Sequence, residues 1–379
     1  MKTTGFKMKA SAAAFRILSD SLYKSPHLAC VRELVCNAWD SQVKKGNTDV
    51  PIEVHAPTNL EPYFEVNDFG VSMDHEFMHS RFITFFDSDK DHSDEAIGGY
   101  GLGSKAPFAY ADQFTVRCRL DGVQRTYQML INASSEYEIM DRGVSDTSEP
   151  DGVKVTVPVA DKDIESFRDA TASVLAYFPV RPKCNVELPE VKYSNEVVIS
   201  KDVVLRHLKI DPKDPRRSSY DTFSVIMGFV KYKCDWRELD AISKSIDVNT
   251  SVLKGTHLHV PINHLDITPD REGIRFSDKT KGALQKVLEY AWKKLDDSLR
   301  TEFFKQGSNI DKALWLDSFD NIAMSNRARK LFVPELEGKF TFPEPMTVIC
   351  RYYPAYGENP KTSTQLLTEI PIIDIYKKR

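Results

Sequence analysis

Apolar residues recur at helical spacing near the start of the chain. In residues 10–24 they fall on one face of a predicted helix. A second helix is predicted from Pro26, which suits a first helical turn, to the position before Gly46, which suits a C-terminal cap. The apolar stripe of this second helix consists of Leu28, Val31, Val35 and Ala38.

Segments that alternate between apolar and polar residues follow this helical region and predict strands. An aromatic, helix-like stretch at 75–86 runs into a polar, acidic segment at 87–95. Because strands and helices are interspersed, the pattern predicts an α+β fold. The predicted strands cover 52–55, 63–66, 113–120, 124–131, 153–159, 185–188, 223–232 and 256–261, and the further helices cover 162–177 and 281–299.

Composition narrows the class of protein. The 379 residues suffice for two or three domains, and 41% hydrophobic with 28% charged residues is ordinary for a soluble globular protein. A net charge of −4 gives no strong nucleic-acid signal. No apolar run approaches the ~20 residues of a transmembrane segment, and no signal peptide is recognised. Six scattered cysteines favour reduced thiols. We therefore expect a cytoplasmic protein, in the host cytoplasm if it is viral.

A glycine-rich segment at 97–106 is the most distinctive local feature, since four of the 17 glycines lie within six positions. Glycine lets backbone N–H groups approach a ligand, and such groups form a concavity suited to phosphate. The Walker A pattern fails because Ser104 stands where the lysine belongs, and the dinucleotide pattern fails because the polar run 87–95 replaces its buried strand. The segment predicts a nucleotide phosphate site, with a glycine loop that binds nothing as the alternative.

Glu33, Asn37 and Asp40 share the polar side of the second predicted helix, at i, i+4 and i+7. Periodicity alone favours a solvated polar face. Small and cysteine residues flank the apolar stripe, however, and Glu33 has no basic partner at i+4, where Asn37 stands. A carboxylate and an amide aimed into a cleft hold a metal–phosphate complex and orient a water.

Asp68 directly follows a predicted strand and opens a tight turn. Aspartate is common in turns, so a structural role is one interpretation. The functional interpretation is a buried carboxylate that accepts a hydrogen bond from an exocyclic amine.

The three motifs occur in an order that resembles the GHKL superfamily, which includes gyrase B subunits, heat-shock chaperones, MutL and the ATPase domains of histidine kinases. The sequence of residues 101–110 is most similar to that of phage rapid-lysis A-type proteins. The resemblance implies a Bergerat-type α/β sandwich ATPase domain at 1–180, a transducer-like α+β domain at 181–300 and a C-terminal extension of unknown role at 301–379. The motifs are Glu33-x3-Asn37-Ala38-x-Asp40, Asp68-x-Gly70 and Ile97-Gly98-x-Tyr100-Gly101-x-Gly103.

The same resemblance implies ATP and Mg²⁺ as cofactors and gives individual residues roles. Glu33 would be the general base, Asn37 would coordinate Mg²⁺, and Asp68 would bind the adenine amino group. Arg271 would stabilise charge on the γ-phosphate, with a surface loop as the alternative. The further expected nucleotide contacts are Asp40, Gly70, Met73, Gly98, Gly99, Tyr100, Gly101, Leu102, Gly103, Ser104, Lys105 and Thr156.

Two positions depart from the family pattern. Ser72 replaces the second glycine of D-x-G-x-G, and Val153 follows Gly152 where the family has threonine. Thr156 is the nearest threonine to that missing contact.

The expected function is an ATP-driven conformational clamp, hydrolysing ATP with Mg²⁺ and acting on a protein partner, with ATP-dependent homodimerisation. The alternative is a non-hydrolysing, nucleotide-dependent binding module that serves as a phage regulatory or counter-defence factor. A histidine kinase fits poorly because only a short helical segment precedes Glu33. A topoisomerase subunit fits poorly without a cleavage domain or a basic DNA surface.

Overall fold

A computed structural model describes most of the chain: residues 23–84, 103–209, 223–268, 270–307, 309–318, 322–332, 339–352 and 361–371. The fold is α+β, which confirms the predicted class. The chain forms two compact units, one comprising Met1–Ile242 with Leu253–Gln285 and the other Ser243–Val252 with Lys286–Arg379. The domain boundaries at 180 and 300 stay predictions.

A seven-stranded sheet dominates the first unit, in the order β5-β4-β3-β6-β2-β1-β7. All of its neighbouring strands are antiparallel except β1 and β7, which are parallel. The strands are β1 (Glu53–His55), β2 (Tyr63–Asn67), β3 (Gln113–Leu120), β4 (Val123–Ile131), β5 (Tyr137–Asp146), β6 (Gly152–Pro158) and β7 (Lys183–Cys184).

Helices cover one face of this sheet, as expected for a sandwich. Helix α1 (Pro26–Lys45) packs against β2 and against a later helix of the chain, Ile164–Leu175. Phe64 of β2 is fully buried, and its ring lies 5.7 Å from that of Phe167 in the later helix. Because side chains alternate along a strand, Glu65 lies on the opposite face. The residue after β2, Asp68, is therefore on the helical side.

Helix α1 forms where the sequence predicted it. Pro26 lies in the first turn, and Gly46 closes the helix in the left-handed region at φ 77°, its N–H bonding to carbonyls of the last turn. Burial on this helix extends beyond the apolar stripe. Glu33, which lies on the predicted polar side, is only 1% exposed. The alternative of a solvated polar face is therefore wrong at Glu33.

Two short helical segments and the later helix complete this layer. Helix α2 (His75–His79) begins at the N-cap Asp74, whose side chain accepts the backbone N–H of Phe77 at 2.7 Å. A 3-10 helix spans Gly103–Ala109, and α3 is Ile164–Leu175. The 3-10 helix packs on α1 through Ala106, which is buried with Ala29.

A five-stranded sheet follows in the first unit, in the order β11-β10-β12-β9-β8. The predicted single strand at 223–232 is wrong, because Gly228 adopts φ 62° and turns it into a hairpin. The predicted strand at 185–188 is also wrong, because the Asn185 side chain bonds both backbone groups of Ala56. The strands are β8 (Tyr193–Ser200), β9 (Val203–Leu208), β10 (Ser224–Met227), β11 (Val230–Lys233) and β12 (Thr256–Val260).

Aromatic contacts connect α1 to the second sheet within the first unit. The ring of Trp39 lies 6.1 Å from that of Phe178 and 6.0 Å from that of Phe229 in the β10–β11 turn. The loop that carries Arg271 joins this sheet through a bridge between Lys233 and Gly273. This packing brings a loop from late in the sequence against an early helix.

The second unit has its own apolar core, formed by Leu299, Phe303, Leu316, Ala328 and Phe332. Helices α6 (Asn309–Asp317) and α7 (Ile322–Phe332) belong to this unit, and β13 (Lys339–Tyr352) pairs with β14 (Lys361–Pro371). Most of α4 (Trp236–Ser245) belongs to the first unit, and most of α5 (Asp278–Lys305) belongs to the second. None of the helices in the described residues combines the length and apolar character needed to cross a bilayer.

Candidate functional site

A buried ion pair joins the first helix to a distant loop. Arg271 Nη1 donates to Glu33 Oε2 at 2.5 Å, and both side chains are almost fully buried. The other carboxylate oxygen, Oε1, lies 3.6 Å from Arg32 Nε. Within the described part of the chain this buried oxygen accepts no hydrogen bond. A buried carboxylate oxygen left over in this way is suited to accept from a water or ligand.

The backbone of the loop determines the direction of Arg271. Its φ of 54° is in the left-handed region, which a non-glycine residue rarely adopts. The turn is stabilised by a hydrogen bond from Arg271 N to Thr268 O at 2.8 Å and by one from Gly273 N to Thr268 Oγ1 at 3.1 Å. Arg271 is thus buried rather than part of a surface loop, and that alternative is wrong.

The loop is also bonded to the N-terminal end of α1. Arg32 Nη2 donates to Asp270 O at 3.2 Å, and Ser25 N donates to Glu272 Oε1 at 2.9 Å. Burial lowers the pKa of Arg271, but the charge of Glu33, together with smaller contributions from Tyr232, Cys36 and Tyr23, outweighs burial, so the net pKa is raised. Arg271 therefore remains a cation next to Glu33.

Gly103 brings the end of the glycine-rich segment onto the same helix. A Cβ at this position would lie 2.7 Å from Glu33 Oε2 and 3.4 Å from Asn37 Nδ2, so the two predicted side chains meet one glycine. Asn37 and Asp40 are half-buried on the next turns of α1. Gly103, which the sequence linked to Glu33 and Asn37 only by motif order, is their neighbour in space.

Lys105 lies in the first turn of the 3-10 helix and is buried. Its Nζ donates to Thr84 O at 2.9 Å and lies 5.5 Å from the centre of the Phe82 ring. The ammonium therefore contacts the chain at Thr84, at the end of the described residues that precede the glycine-rich segment. Ser104 beside it is half-buried. The predicted contacts Gly98, Gly99, Tyr100, Gly101 and Leu102 lie outside the described residues.

Asp68 is buried at the end of β2, where Oδ1 accepts Gly70 N at 2.9 Å and Val153 N at 3.2 Å. No hydrogen bond reaches Oδ2 from the described residues. Burial raises the pKa of Asp68 to about 7, although the two backbone hydrogen bonds oppose the shift. One oxygen fixed by the backbone and a second one without a donor make Asp68 a directed acceptor.

The turn after Asp68 is packed directly on α1, which explains Gly70. A Cβ on Gly70 would lie 2.4 Å from the backbone carbon of Ser41 and 2.6 Å from Gln42 N. Ser41 Oγ donates to Val71 O at 2.9 Å, and Phe69 N donates to Gln42 Oε1 at 3.3 Å. The helix that carries Glu33 thus also holds the Asp68 turn.

Sequence reasoning missed Arg119, a fully buried residue of β3. Its Nη2 donates to Asp68 O at 2.9 Å and to Asn67 Oδ1 at 2.8 Å. Alternation along β3 assigns Arg119 to the polar face, so no pattern in the sequence signals its burial. Gly152 is required beside it, because a Cβ there would lie 2.0 Å from Asp68 O.

Ser72 donates through Oγ to Gly152 O at 3.2 Å and so connects the turn to β6. Met73, also in this turn, is half-buried. Thr156 is not brought to Asp68. It is paired in register with Glu65 on the face away from the helices, where its Oγ1 donates to Glu65 Oε2 at 2.7 Å.

The comparisons with known proteins find matches among solved structures. No family model matches the chain, and no curated protein matches it. Among solved structures, the ATPase region of Saccharomyces cerevisiae topoisomerase II has a TM-score of 0.47 and 14% sequence identity to this chain. The match covers 71% of this chain and 85% of that one. No functional conclusion follows at this level of similarity.

Proposed function

We propose that the first unit binds ATP along α1 and hydrolyses it. The observation that carries the proposal is the contact of Glu33, Asn37 and Gly103 on a helix that also holds the Asp68 turn. From Glu33 to Ser41 the helix rises about 12 Å, at 1.5 Å per residue. An extended ligand with a base at one end and phosphates at the other is suited to this arrangement.

At the end of the site that would hold the adenine base, Asp68 Oδ2 would accept a hydrogen bond from the adenine amino group. The backbone bonds from Gly70 and Val153 hold the carboxylate in one orientation before the ligand arrives. This pre-organisation reduces the ordering cost of binding. Because valine stands at position 153 instead of threonine, a side-chain hydroxyl contact to the base is missing. The backbone N–H of Val153 still donates to Asp68 Oδ1.

At the phosphate end, the glycine-rich segment up to Gly103 would contact the phosphates. Asn37 would hold Mg²⁺ through its amide oxygen, a hard ligand suited to that ion. Bound Mg²⁺ neutralises charge on the phosphate oxygens. Lys105 would support this end indirectly, since its ammonium contacts Thr84 O.

For hydrolysis, Glu33 would act as the general base that accepts a proton from the attacking water. The pair with Arg271 occupies Oε2 in the arrangement described here. We infer that the Arg271 guanidinium turns from Glu33 to the γ-phosphate during turnover, where it stabilises developing charge. The same movement releases the carboxylate for proton transfer.

The biological output that we propose is an ATP-driven clamp on a protein partner, with pairing of two subunits when ATP binds. The motifs resemble those of GHKL proteins, and the sequence of residues 101–110 resembles phage rapid-lysis A-type proteins. These resemblances support the proposed clamp. A second candidate is a module that binds ATP without hydrolysis. The pairing of Glu33 with Arg271 favours this candidate, because it holds one of the two carboxylate oxygens on the guanidinium.

Steady-state phosphate release and calorimetric ATP titration of the full chain, with and without Mg²⁺, separate these functions. Asp68→Asn is the binding-deficient control, because an amide presents a donor to the adenine amine. Binding with Mg²⁺-dependent turnover, both lost in Asp68→Asn, supports the ATPase. Binding without turnover supports the second candidate. Absence of ATP binding by the unaltered protein contradicts both.

A further inference from the structure

Two imidazoles and a carboxylate converge at a place in the first unit that the ATP proposal does not use. They belong to His75 and His79 of α2 and to Asp141 of β5. One potential ligand atom from each residue lies within 4.8 Å of the other two. All three side chains are exposed, so an ion from solution has access to them.

Helix α2 orients the two histidines together. Residues four apart lie on the same face of a helix, and the two ring centroids are 4.5 Å apart. The Asp74 cap fixes the start of this single turn. Two imidazoles at this spacing on a helix are a recurrent arrangement for binding Zn²⁺.

Tyr127 contacts His75 through both its ring and its hydroxyl group. His75 stacks on its ring with an interplanar angle of 22°, and His75 Nδ1 lies 3.2 Å from the Tyr127 hydroxyl oxygen. A hydrogen bond at Nδ1 leaves Nε2 with its lone pair directed outward. Metal-binding histidines characteristically use the second ring nitrogen in this way, because the outer partner fixes tautomer and orientation.

An irregularity in β5 supplies the carboxylate. Tyr127 of β4 is paired directly with Asp141, whereas the preceding residue, Thr126, is paired with Gly143, so Arg142 is an extra residue. Opposite residues in an antiparallel pair share a face. The bulge therefore places Asp141 on the face where Tyr127 supports His75. His79 Nε2 already lies 2.9 Å from Asp141 Oδ1.

We propose that His75, His79 and Asp141 bind a divalent transition-metal ion of the Zn²⁺ class, which links α2 to β5. Ligand atoms about 2.0–2.1 Å from a tetrahedral ion are about 3.3 Å apart. The separations here, from 2.9 to at most 4.8 Å, bracket that value, and exposed side chains adjust by small rotations. Three protein ligands leave the fourth position to solvent.

The test is calorimetric titration of the full chain with Zn²⁺ in the absence of nucleotide, together with visible absorption after Co²⁺ addition. We expect one Zn²⁺ per chain and Co²⁺ bands of tetrahedral type. His79→Ala removes a ligand and should abolish the bands. Tyr127→Phe removes the outer hydrogen bond and should weaken Zn²⁺ binding by about tenfold.

Glu76→Gln is the matched control, because this exposed acid is on the same helix and outside the cluster. It should bind Zn²⁺ like the unaltered protein, and circular dichroism checks that each variant is folded. Equal Zn²⁺ affinity in folded His79→Ala and unaltered protein would overturn the proposal. Octahedral Co²⁺ spectra that are identical in both proteins would overturn it as well.

Discussion

Arg271 Nη1 lies 2.5 Å from Glu33 Oε2 in a buried ion pair whose members are 238 positions apart in the chain. Burial of both charges costs free energy that only their pairing and hydrogen bonding recover. The pair therefore fixes the distant loop on α1. It also makes the chemistry of Glu33 dependent on where the Arg271 guanidinium lies.

The coupling of this pair is measurable by a double-mutant cycle. Arg271→Met leaves the Glu33 carboxylate buried with only Arg32 nearby, so we expect a loss of about 3 kcal/mol in unfolding free energy. Glu33→Gln combined with Arg271→Met removes both charges and should cost less than the two single changes together. Denaturant unfolding of the four proteins measures the difference, expected at about 1–3 kcal/mol. Additive single effects would contradict a coupled pair.

Gly103→Ala tests whether contact with the glycine-rich segment controls Glu33. The new Cβ would meet Glu33 Oε2 at 2.7 Å, so the carboxylate must move away from its pairing position. We expect ATP turnover to fall by about tenfold or more, because displacements near 1 Å cost up to about a hundredfold. The free energy of unfolding should fall by only about 1–2 kcal/mol.

Gly282→Ala is the control for this change, since a Cβ on Gly282 has no atom within 4 Å in the described structure. It lies in α5, where alanine is the better helix former, so stability should rise by up to about 1 kcal/mol. Turnover should not change. Equal turnover in the two alanine variants would show that Gly103 does not position Glu33.

Asp68 should make stability fall as pH rises. Its pKa is raised from 3.8 to about 7 by burial, so between these values only the unfolded chain releases the proton. The folded state loses roughly 4 kcal/mol across that interval, with no contribution from Asp68 to the slope below pH 3.8 or above pH 7. Asp68→Asn has no carboxyl group to titrate and so does not lose this stability. It should be more stable than the unaltered protein at pH 7.5.

Denaturant unfolding at pH 5 and pH 7.5 measures the effect as the difference between unaltered protein and Asp68→Asn. The advantage of the variant should be larger at pH 7.5. An equal difference at both values would contradict the raised pKa. Since the same variant should lose ATP binding, the stability result distinguishes lost recognition from lost folding.

Adenosine isolates the base end of the site, because it carries no titrating phosphate. Ionised Asp68 accepts the amino group, whereas the protonated carboxyl has a weaker acceptor, so adenosine affinity should fall by about tenfold between pH 8 and pH 6. Calorimetric titration at both pH values measures it. Adenosine affinity that does not depend on pH would place the base elsewhere.

The sequence predicted those elements that local signals define. Helix α1 was predicted with both ends, because Pro26 and Gly46 act within one turn of their own position. Strand β3 was predicted to the residue, since its apolar positions alternate. Strand β5 was missed because most of its residues are exposed, so it lacks an apolar face. A paired strand without a buried face leaves little trace in the sequence.

The site was predictable only in part. Glu33 and Asn37 are one helical turn apart, so periodicity brings them together. The approach of Arg271 and Gly103 to Glu33 depends on tertiary packing, and only the motif resemblance indicated it. Arg119 could not be predicted, because its position on β3 is that of a surface residue. Arg119 is buried because the turn at Asp68 packs over its side chain and accepts its hydrogen bond.

The most direct test of the ATPase proposal compares Glu33→Gln with the unaltered protein in single-turnover ATP hydrolysis, with ATP affinity measured in parallel. Glutamine keeps the shape of the side chain and an acceptor for Arg271, but it cannot take a proton. We predict ATP affinity within a few-fold of the unaltered protein and a hydrolysis step slower by about 10²–10⁴-fold. Hydrolysis by Glu33→Gln at the unaltered rate would contradict the role of Glu33 as the general base.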